Sequence, residues 1–448
     1  MKKFNKDKYL KKLKLKRFWQ NNSRYFYIGV PCILCGILGI YFAYSKFFVT
    51  QEDAVVQTSV GNFVYGDVII NNYVNGQYTV EAPAKGSGYK VDKIVCDSGA
   101  TATWDSKDWG PTITNVTRRS KCNIYFVDVE KINIGNVAVP LDTYGLCPTV
   151  NEDGTATVTD AESQYGYLCS MKDAYGTSYY YRGNVTNNYV LFAGFYWRII
   201  RINGDGTVRV IYDGTSAHAN GESSSDREIG TTAFNSSYND NAYVGYMYGA
   251  TGSSTYAATH ANTNNSTIKT YLDTWYENNI KGTTNEQYIA DNLFCNDRSF
   301  ASNNRGTGAG TSSTNYRWYN FADNSNNNKM VLTCPQKNDA FTVRDTSKGN
   351  GALTYGIGLV TTDEVVLAGG WNSDNHNYYL YSGQSYWTMS PYSAGGDFAR
   401  ERVVRSDGYA DGTNNVFITY GTRPVFNLSS EILKNGNGTV SDPYHLAS

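Results

Sequence analysis

Histidine is scarce in this chain: its 448 residues contain four, His218, His260, His376 and His445, scattered along the sequence. No C-x-x-C occurs beyond residue 50, so the ligand spacing of a zinc site is missing, and neither a metal nor another cofactor is expected. The common catalytic signatures are missing as well. There is no H-E-x-x-H, no G-x-S-x-G, no phosphate-binding loop and no G-x-G-x-x-G after a strand, so the chain does not read as an enzyme. Charge is sparse too, at 18% Asp, Glu, Lys and Arg against 15% aromatic residues. That balance excludes a coiled coil, a disordered chain and a protein with many membrane spans.

The formal net charge of −1 conceals a split. Residues 1–24 carry +9, Lys46 is the next charge, and everything after residue 50 carries −11. An acidic bulk repels phosphates, which argues against nucleic-acid binding. Between the two lies an uncharged, largely apolar run, Tyr25 to Tyr44, about the length that crosses a hydrocarbon core of ~30 Å. Tyr25, Tyr27, Tyr41 and Tyr44 crowd its ends, and the basic cluster precedes it. Basic flanks stay cytoplasmic. The expectation is therefore a basic cytoplasmic segment (1–24), an uncleaved transmembrane signal anchor (25–44) in the cell membrane, and an extracellular remainder. A cleaved signal would want a small-residue site between Ala43 and Thr50, and none is present.

Six cysteines follow the apolar run: Cys96, Cys122, Cys147, Cys169, Cys295 and Cys334. An even number in an exported region reads as disulfides, and six cysteines allow fifteen pairings. Pairing sequence neighbours keeps each bridge within a segment of similar composition. Closing the loop from Cys147 to Cys169 is worth roughly 3 kcal/mol in the chain-entropy model.

Residues 55–130 read as a small all-β spacer domain, with alternating runs at Tyr78–Ala82, Tyr89–Cys96, Thr112–Val116 and Asn123–Val127 and with Trp104 and Trp109 as core. An Ig-like sandwich is one arrangement for it. Residues 141–448 form the larger domain. In it, Trp197–Ile202 and Thr207–Tyr212 alternate around Asn203-Gly204-Asp205-Gly206, a hairpin signal. The N-x-[DN]-G-T pattern recurs at Asn151–Thr155 and Asn435–Thr439 at uneven spacing, which marks a reused turn and not a repeat unit. The stretches 213–265 and 301–328, rich in Ser, Thr, Asn and Gly, read as long surface loops inserted in this domain. Ser266–Ile280 has a helical stripe of Ile268, Tyr271, Leu272 and Trp275, and Thr361 with Glu364 forms a capping box that starts a second helix.

These elements come in a familiar order. The helix with Tyr271-Leu272-Asp273-Thr274-Trp275, the capped helix after Leu359, the strand Tyr386-Trp387-Thr388-Met389-Ser390-Pro391 and the closing Gly421-Thr422-Arg423-Pro424-Val425 resemble C-type-lectin-like bacterial ectodomains akin to the formylglycine-generating-enzyme superfamily. The resemblance covers roughly residues 175–446. It implies an α+β fold: a mixed α/β domain with two flanking helices and long loops, set after the transmembrane helix and the small all-β domain. Trp387, Pro391, Gly421, Arg423 and Pro424 are its structural positions. The superfamily's cysteine-oxidising enzymes use cysteines late in the chain, and none follows Cys334 here. The E-P-N, Q-P-D and W-N-D motifs of calcium-dependent lectins are also missing.

Tyr offers amphipathic area at low entropy cost, and Asn, Ser and Gly offer adaptable hydrogen bonding, the mix of a loop-built recognition surface. Gly370–Gly421 concentrates it, with Trp371, Asn372, Asp374, Asn375, Asp397, Tyr409 and Asp411 as candidate ligand-binding residues. The resemblance implies a ligand surface in the same zone. The expected function is an adhesin-like cell-surface binding protein for a glycan or protein ligand. A structural component of the cell envelope and an extracellular hydrolase acting on glycan or peptide are the alternatives.

Overall fold

The computed structural model describes residues 11–12, 14–17, 68–83, 89–105, 109–116, 120–128, 147–320, 329–410 and 412–447. The run 25–44 read as a membrane anchor lies outside the described residues, as does the connector 131–140. Among the described residues no helix is long and apolar enough to cross a membrane.

The α+β expectation does not hold. The described residues are mainly β, with 35% strand and 14% helix, and their strands form several sheets accompanied by four short helices. The physical reason is visible in the residues. A 3.6-residue apolar stripe of useful length occurs once, whereas β-branched and aromatic residues alternating between Gly and Asn turns recur along the whole chain and favour strands.

The chain divides into two units, Met1–Ala82 with Val91–Phe126 and Pro83–Lys90 with Val127–Ser448. In the first, four strands run in the order Gln77–Thr79, Val68–Val74, Ser120–Asp128, Tyr89–Cys96, and Thr101–Asp105 pairs with Gly110–Thr114 as a separate hairpin. Val68–Val74 and Ser120–Asp128 are parallel. An Ig-like sandwich would need about seven strands in two antiparallel sheets. The Cys96–Cys122 disulfide joins the strand ends, and Trp104 meets both Trp109 and Phe126 edge-on with centroids 5.3 Å away.

The second unit is built on two larger sheets. One has the order Val425–Leu428, Val208–Gly214, Phe195–Ile202, Thr177–Gly183, Gly166–Lys172, with Tyr189–Phe192 and Tyr444–His445 attached. The other runs Thr231–Ala233, Thr419–Gly421, Tyr386–Ala394, Ala399–Val404, Gly412–Asn415, with Thr314–Asn315 attached. The central hairpin Phe195–Ile202 to Val208–Gly214 closes as its sequence demands: Asn203 N–H donates to Thr207 O (2.8 Å), Gly206 takes φ 84°, and Asp205 Oδ1 accepts from Thr207 N (3.0 Å) and Oγ1 (2.6 Å). Asp153 makes the same two bonds to Thr155 (3.0 and 2.6 Å) and Asn437 to Thr439 (3.1 and 2.7 Å). One local solution, an Asx side chain bonding two residues ahead before a left-handed Gly, thus serves three turns.

The helix Thr267–Asn279 is capped by Ser266 Oγ, which accepts from Lys269 N at 3.2 Å. It buries Ile268, Lys269, Leu272 and Tyr276, and the two full aliphatic burials contribute about 1.5–3 kcal/mol each. Lys269 is buried because Asp273, one turn on, accepts from its ammonium. Trp275, half-buried, packs with Phe195 and Trp197 at centroid distances of 5.4 and 6.2 Å.

The polar stretches 213–265 and 301–320 are not surface loops. Arg227, Phe234, Val244, Tyr246, Tyr316 and Trp318 in them are buried. Their polar side chains satisfy backbone groups of the neighbouring stretch, as when Asn241 Nδ2 donates to Gly310 O (2.8 Å) and Ser312 O (2.7 Å), so a polar composition coexists with a packed interior.

Candidate functional site

Helix Thr362–Leu367 has the capping box its sequence promises: Thr361 Oγ1 accepts from Glu364 N (3.2 Å), and Glu364 Oε2 accepts from Thr361 N (2.9 Å). The chain leaves this helix through Gly369, at φ 119°, and enters the loop 371–377. Asn375, buried, fastens that loop by donating to Gly369 O (2.9 Å) and Glu162 O (3.1 Å). A second loop, 405–410, locks onto the first. Ala410 N donates to Trp371 O at 2.8 Å and Asn375 N to Asp407 O at 3.1 Å. Gly408, at φ 82°, makes the approach possible, since a Cβ there would lie 1.9 Å from Asn375 O.

Of the candidate ligand residues, the structure brings together Trp371, Asn372, Asp374, Asn375 and Tyr409. Asp374 is exposed, while Trp371, Asn372 and Tyr409 are half-buried. Asn375 positions the loop, and its amide is not available to a ligand. Asp397 belongs elsewhere. It sits in the exposed turn between Tyr386–Ala394 and Ala399–Val404, and the six residues of the second strand place it about 20 Å from the 405–410 loop. Asp411 lies outside the described residues.

Sequence reasoning missed His376 and Arg405, which flank this surface. The His376 ring stacks on Tyr381 (4.9 Å, 28°), and the Arg405 guanidinium lies 5.1 Å over the Tyr409 ring while pairing with Asp407 at 2.8 Å. The only signal for them in the chain was adjacency to Asn375 and Tyr409.

The five structural positions are all buried. Trp387 is fully buried and donates to Thr232 O at 2.9 Å. The pairing of Tyr386–Ala394 with Ala399–Val404 is irregular around Pro391, where proline has no N–H for the ladder. Arg423, buried, donates to Tyr212 O (3.0 Å), Leu380 O (2.7 Å) and Asp213 Oδ1 (2.9 Å), and Tyr212 N donates to Pro424 O (2.9 Å). Gly421 leaves room for Glu228, whose Oε2 would be 1.6 Å from a Cβ at that position. Burial there pushes the Glu228 carboxyl up to about 7, with Arg423 opposing.

Two further clusters carry charge. Around a cavity of about 20 Å³, Arg201 meets Asp173 (2.8 Å) and Glu364 (3.1 Å), Arg209 meets Glu364 (2.5 Å), and Arg317 bridges Asp297 and Asp363. That space admits about one water, not a substrate. Burial alone would raise Glu364, but Arg209 and Arg201 outweigh it and hold the carboxyl below the usual range. The cluster is a buried ionic tie between the helix, the first large sheet and the turn that carries Arg317. In the second, His218 stands between Glu222 (Nδ1, 2.9 Å) and Asp226 (Nε2, 3.0 Å). Ser216 Oγ is 3.5 Å from Nε2 but donates to Asp226 Oδ2 at 3.3 Å. A serine nucleophile needs its histidine as base, and here Asp226 occupies that nitrogen.

No family model, curated protein or solved structure matches the chain. The C-type-lectin-like resemblance therefore finds no support among known proteins.

Proposed function

We propose that this chain is an exported, adhesin-like binding protein whose ligand surface is the interlocked pair of loops 371–377 and 405–410. The observation that carries the reading is the lock itself. Two loops about 30 residues apart in sequence are joined by Ala410 N to Trp371 O and Asn375 N to Asp407 O, so Trp371, Asn372, Asp374 and Tyr409 are held in one place before any ligand arrives. Holding a surface in its bound shape lowers the ordering cost of association. Aromatic faces beside carboxylate and amide groups suit a sugar ring, with stacking on Trp371 or Tyr409 and hydroxyls bonded by Asp374 and Asn372. The three disulfides, Cys96–Cys122, Cys147–Cys169 and Cys295–Cys334, support an oxidising compartment outside the cytoplasm.

The purified protein on a glycan and protein array tests this. Trp371→Ala with Tyr409→Ala is expected to weaken a glycan ligand by about 30-fold, the loss of a hot spot of about 2 kcal/mol, with binding compared where circular dichroism shows both proteins folded, since Trp371 packs against the core. Unaltered glycan binding in that double variant removes the site assignment. Binding to proteins and to no glycan removes the sugar reading.

A further inference from the structure

Glu401 is fully buried in strand Ala399–Val404, and neither of its carboxyl oxygens has a hydrogen-bond partner among the described residues. Its cross-strand neighbours give it no donor: Pro391 has no polar side chain, and the Asn414 amide donates to Tyr420 Oη. Arg400 and Arg402 alternate to the opposite face of the strand, where Arg402 donates to Trp318 O. The turn Asn241–Val244 packs on this strand. Of its groups, Asn241 donates to Gly310 O and Ser312 O and receives Tyr316 Oη at 2.8 Å, and Asp240 before it accepts from Ala242 N and Gly252 N. Tyr243 in the same turn is half-buried and packs on Tyr248.

The charged and titratable groups that act on Glu401 electrostatically are Arg298 and Tyr316. Arg298 is fully engaged elsewhere, with Asp339 (2.6 and 2.8 Å), Met247 O (3.0 Å), His260 Nδ1 (3.2 Å) and Asn262 Oδ1 (2.9 Å). A carboxylate in this position would be a buried charge with no donor, which a fold tolerates only by keeping the group neutral. Burial accordingly pushes the carboxyl well above its usual range, Arg298 opposing.

We propose that Glu401 is carried as the neutral acid and makes the hairpin Tyr386–Val404 an alkali-sensitive latch, closed while the proton is held and loosened when it leaves. The folded chain then binds one proton more than the unfolded chain wherever the pH lies above the ordinary glutamate value and below the folded one. Over that window the folding constant falls about tenfold per pH unit, and below it the full stability is present.

Urea unfolding of the full chain between about pH 5 and about pH 9, beside Glu401→Gln, reads this directly. The expected result is a wild-type folding constant that drops relative to the variant by about tenfold for each pH unit of the window. A ratio of the two constants that does not change with pH overturns the proposal. If Glu401→Gln does not fold, glutamate-edited infrared spectroscopy of Glu228→Gln, which removes the other raised glutamate, decides: a protonated carboxylic acid band at neutral pH that vanishes on alkalinisation supports the latch, and its absence at neutral pH overturns it.

Discussion

Replacing Glu364 by alanine is the most informative perturbation of the buried ionic tie. Glu364 accepts from Arg201 Nε at 3.1 Å, Arg209 Nη2 at 3.3 Å and the Thr361 N–H at 2.9 Å, with Arg209 Nε ion-paired at 2.5 Å, and the Glu364, Arg201 and Arg209 side chains are at most 3% exposed. Arg201 would keep Asp173 at 2.8 Å. Arg209 would keep only the carbonyls of Leu293 and Leu359, both at 3.3 Å, and so becomes an uncompensated buried cation. Leaving one such charge costs about 3–5 kcal/mol, and losing the capping box costs about 1 kcal/mol more. The expected loss of about 4–6 kcal/mol is a large part of the 5–15 kcal/mol typical of a whole domain. Urea unfolding should show it as a lowered midpoint at constant slope. Glu364→Gln, which keeps the cap, should lose less. Replacing Arg209 by Met together with Glu364 by Leu should recover much of the deficit, since Arg201 keeps Asp173 and the new apolar pair needs no charge compensation. The acid limb gives a separate reading. Because the folded carboxyl sits below its unfolded value near 4.5, its stabilisation is present above that value and lost as the pH falls through the lower folded one. Glu364→Gln should flatten that limb. A Glu364→Ala protein within 1 kcal/mol of wild type would refute the reasoning, because the two guanidinium groups would then have been compensated by something else.

Two other outcomes follow from close approaches. Gly408→Ala forces a side chain into a left-handed position and against Asn375 O, so it should cost about 1–3 kcal/mol by urea unfolding and separate the two binding loops; an unchanged midpoint would mean that the loops do not depend on each other. Gly421→Ala should swing Glu228 into solvent and return its carboxyl from about 7 to the ordinary glutamate range. Carboxyl-detected NMR titration measures this, and an unmoved value would show that Gly421 does not shelter it. In the wild type, the stabilisation from the raised Glu228 carboxyl is complete below the ordinary glutamate value and is lost as the pH climbs to about 7.

Local interactions account for what was legible in the sequence. The Asn203–Gly206 turn, the Ser266 cap and the Thr361–Glu364 box are all made between residues two to four apart, and each is present where the residues call for it. The sheet order was not legible, because Val425–Leu428 pairs with Val208–Gly214 across more than 200 residues and no local pattern encodes that choice. The same limit governs the site. Trp371 and Tyr409 share a surface through Gly408 and Asn375, whose roles depend on a close approach between distant segments, whereas Asp397 is nearer in sequence to Tyr409 and lies at the far end of a strand. Glu401 was invisible for a related reason: an acid in an alternating strand reads as solvent-facing, and only the turn Asn241–Val244 packed on it shows otherwise.

The order of the disulfides has a consequence for how the chain matures. The six cysteines after residue 50 are bonded as consecutive pairs, first to second, third to fourth and fifth to sixth, with separations of 26, 22 and 39 residues. A polypeptide emerging N-terminus first into an oxidising compartment exposes its thiols in that same order, so the first partner each one meets is the native one. For a chain exported in that way, oxidation on emergence leads to the native linkage without reshuffling and places little demand on an isomerase.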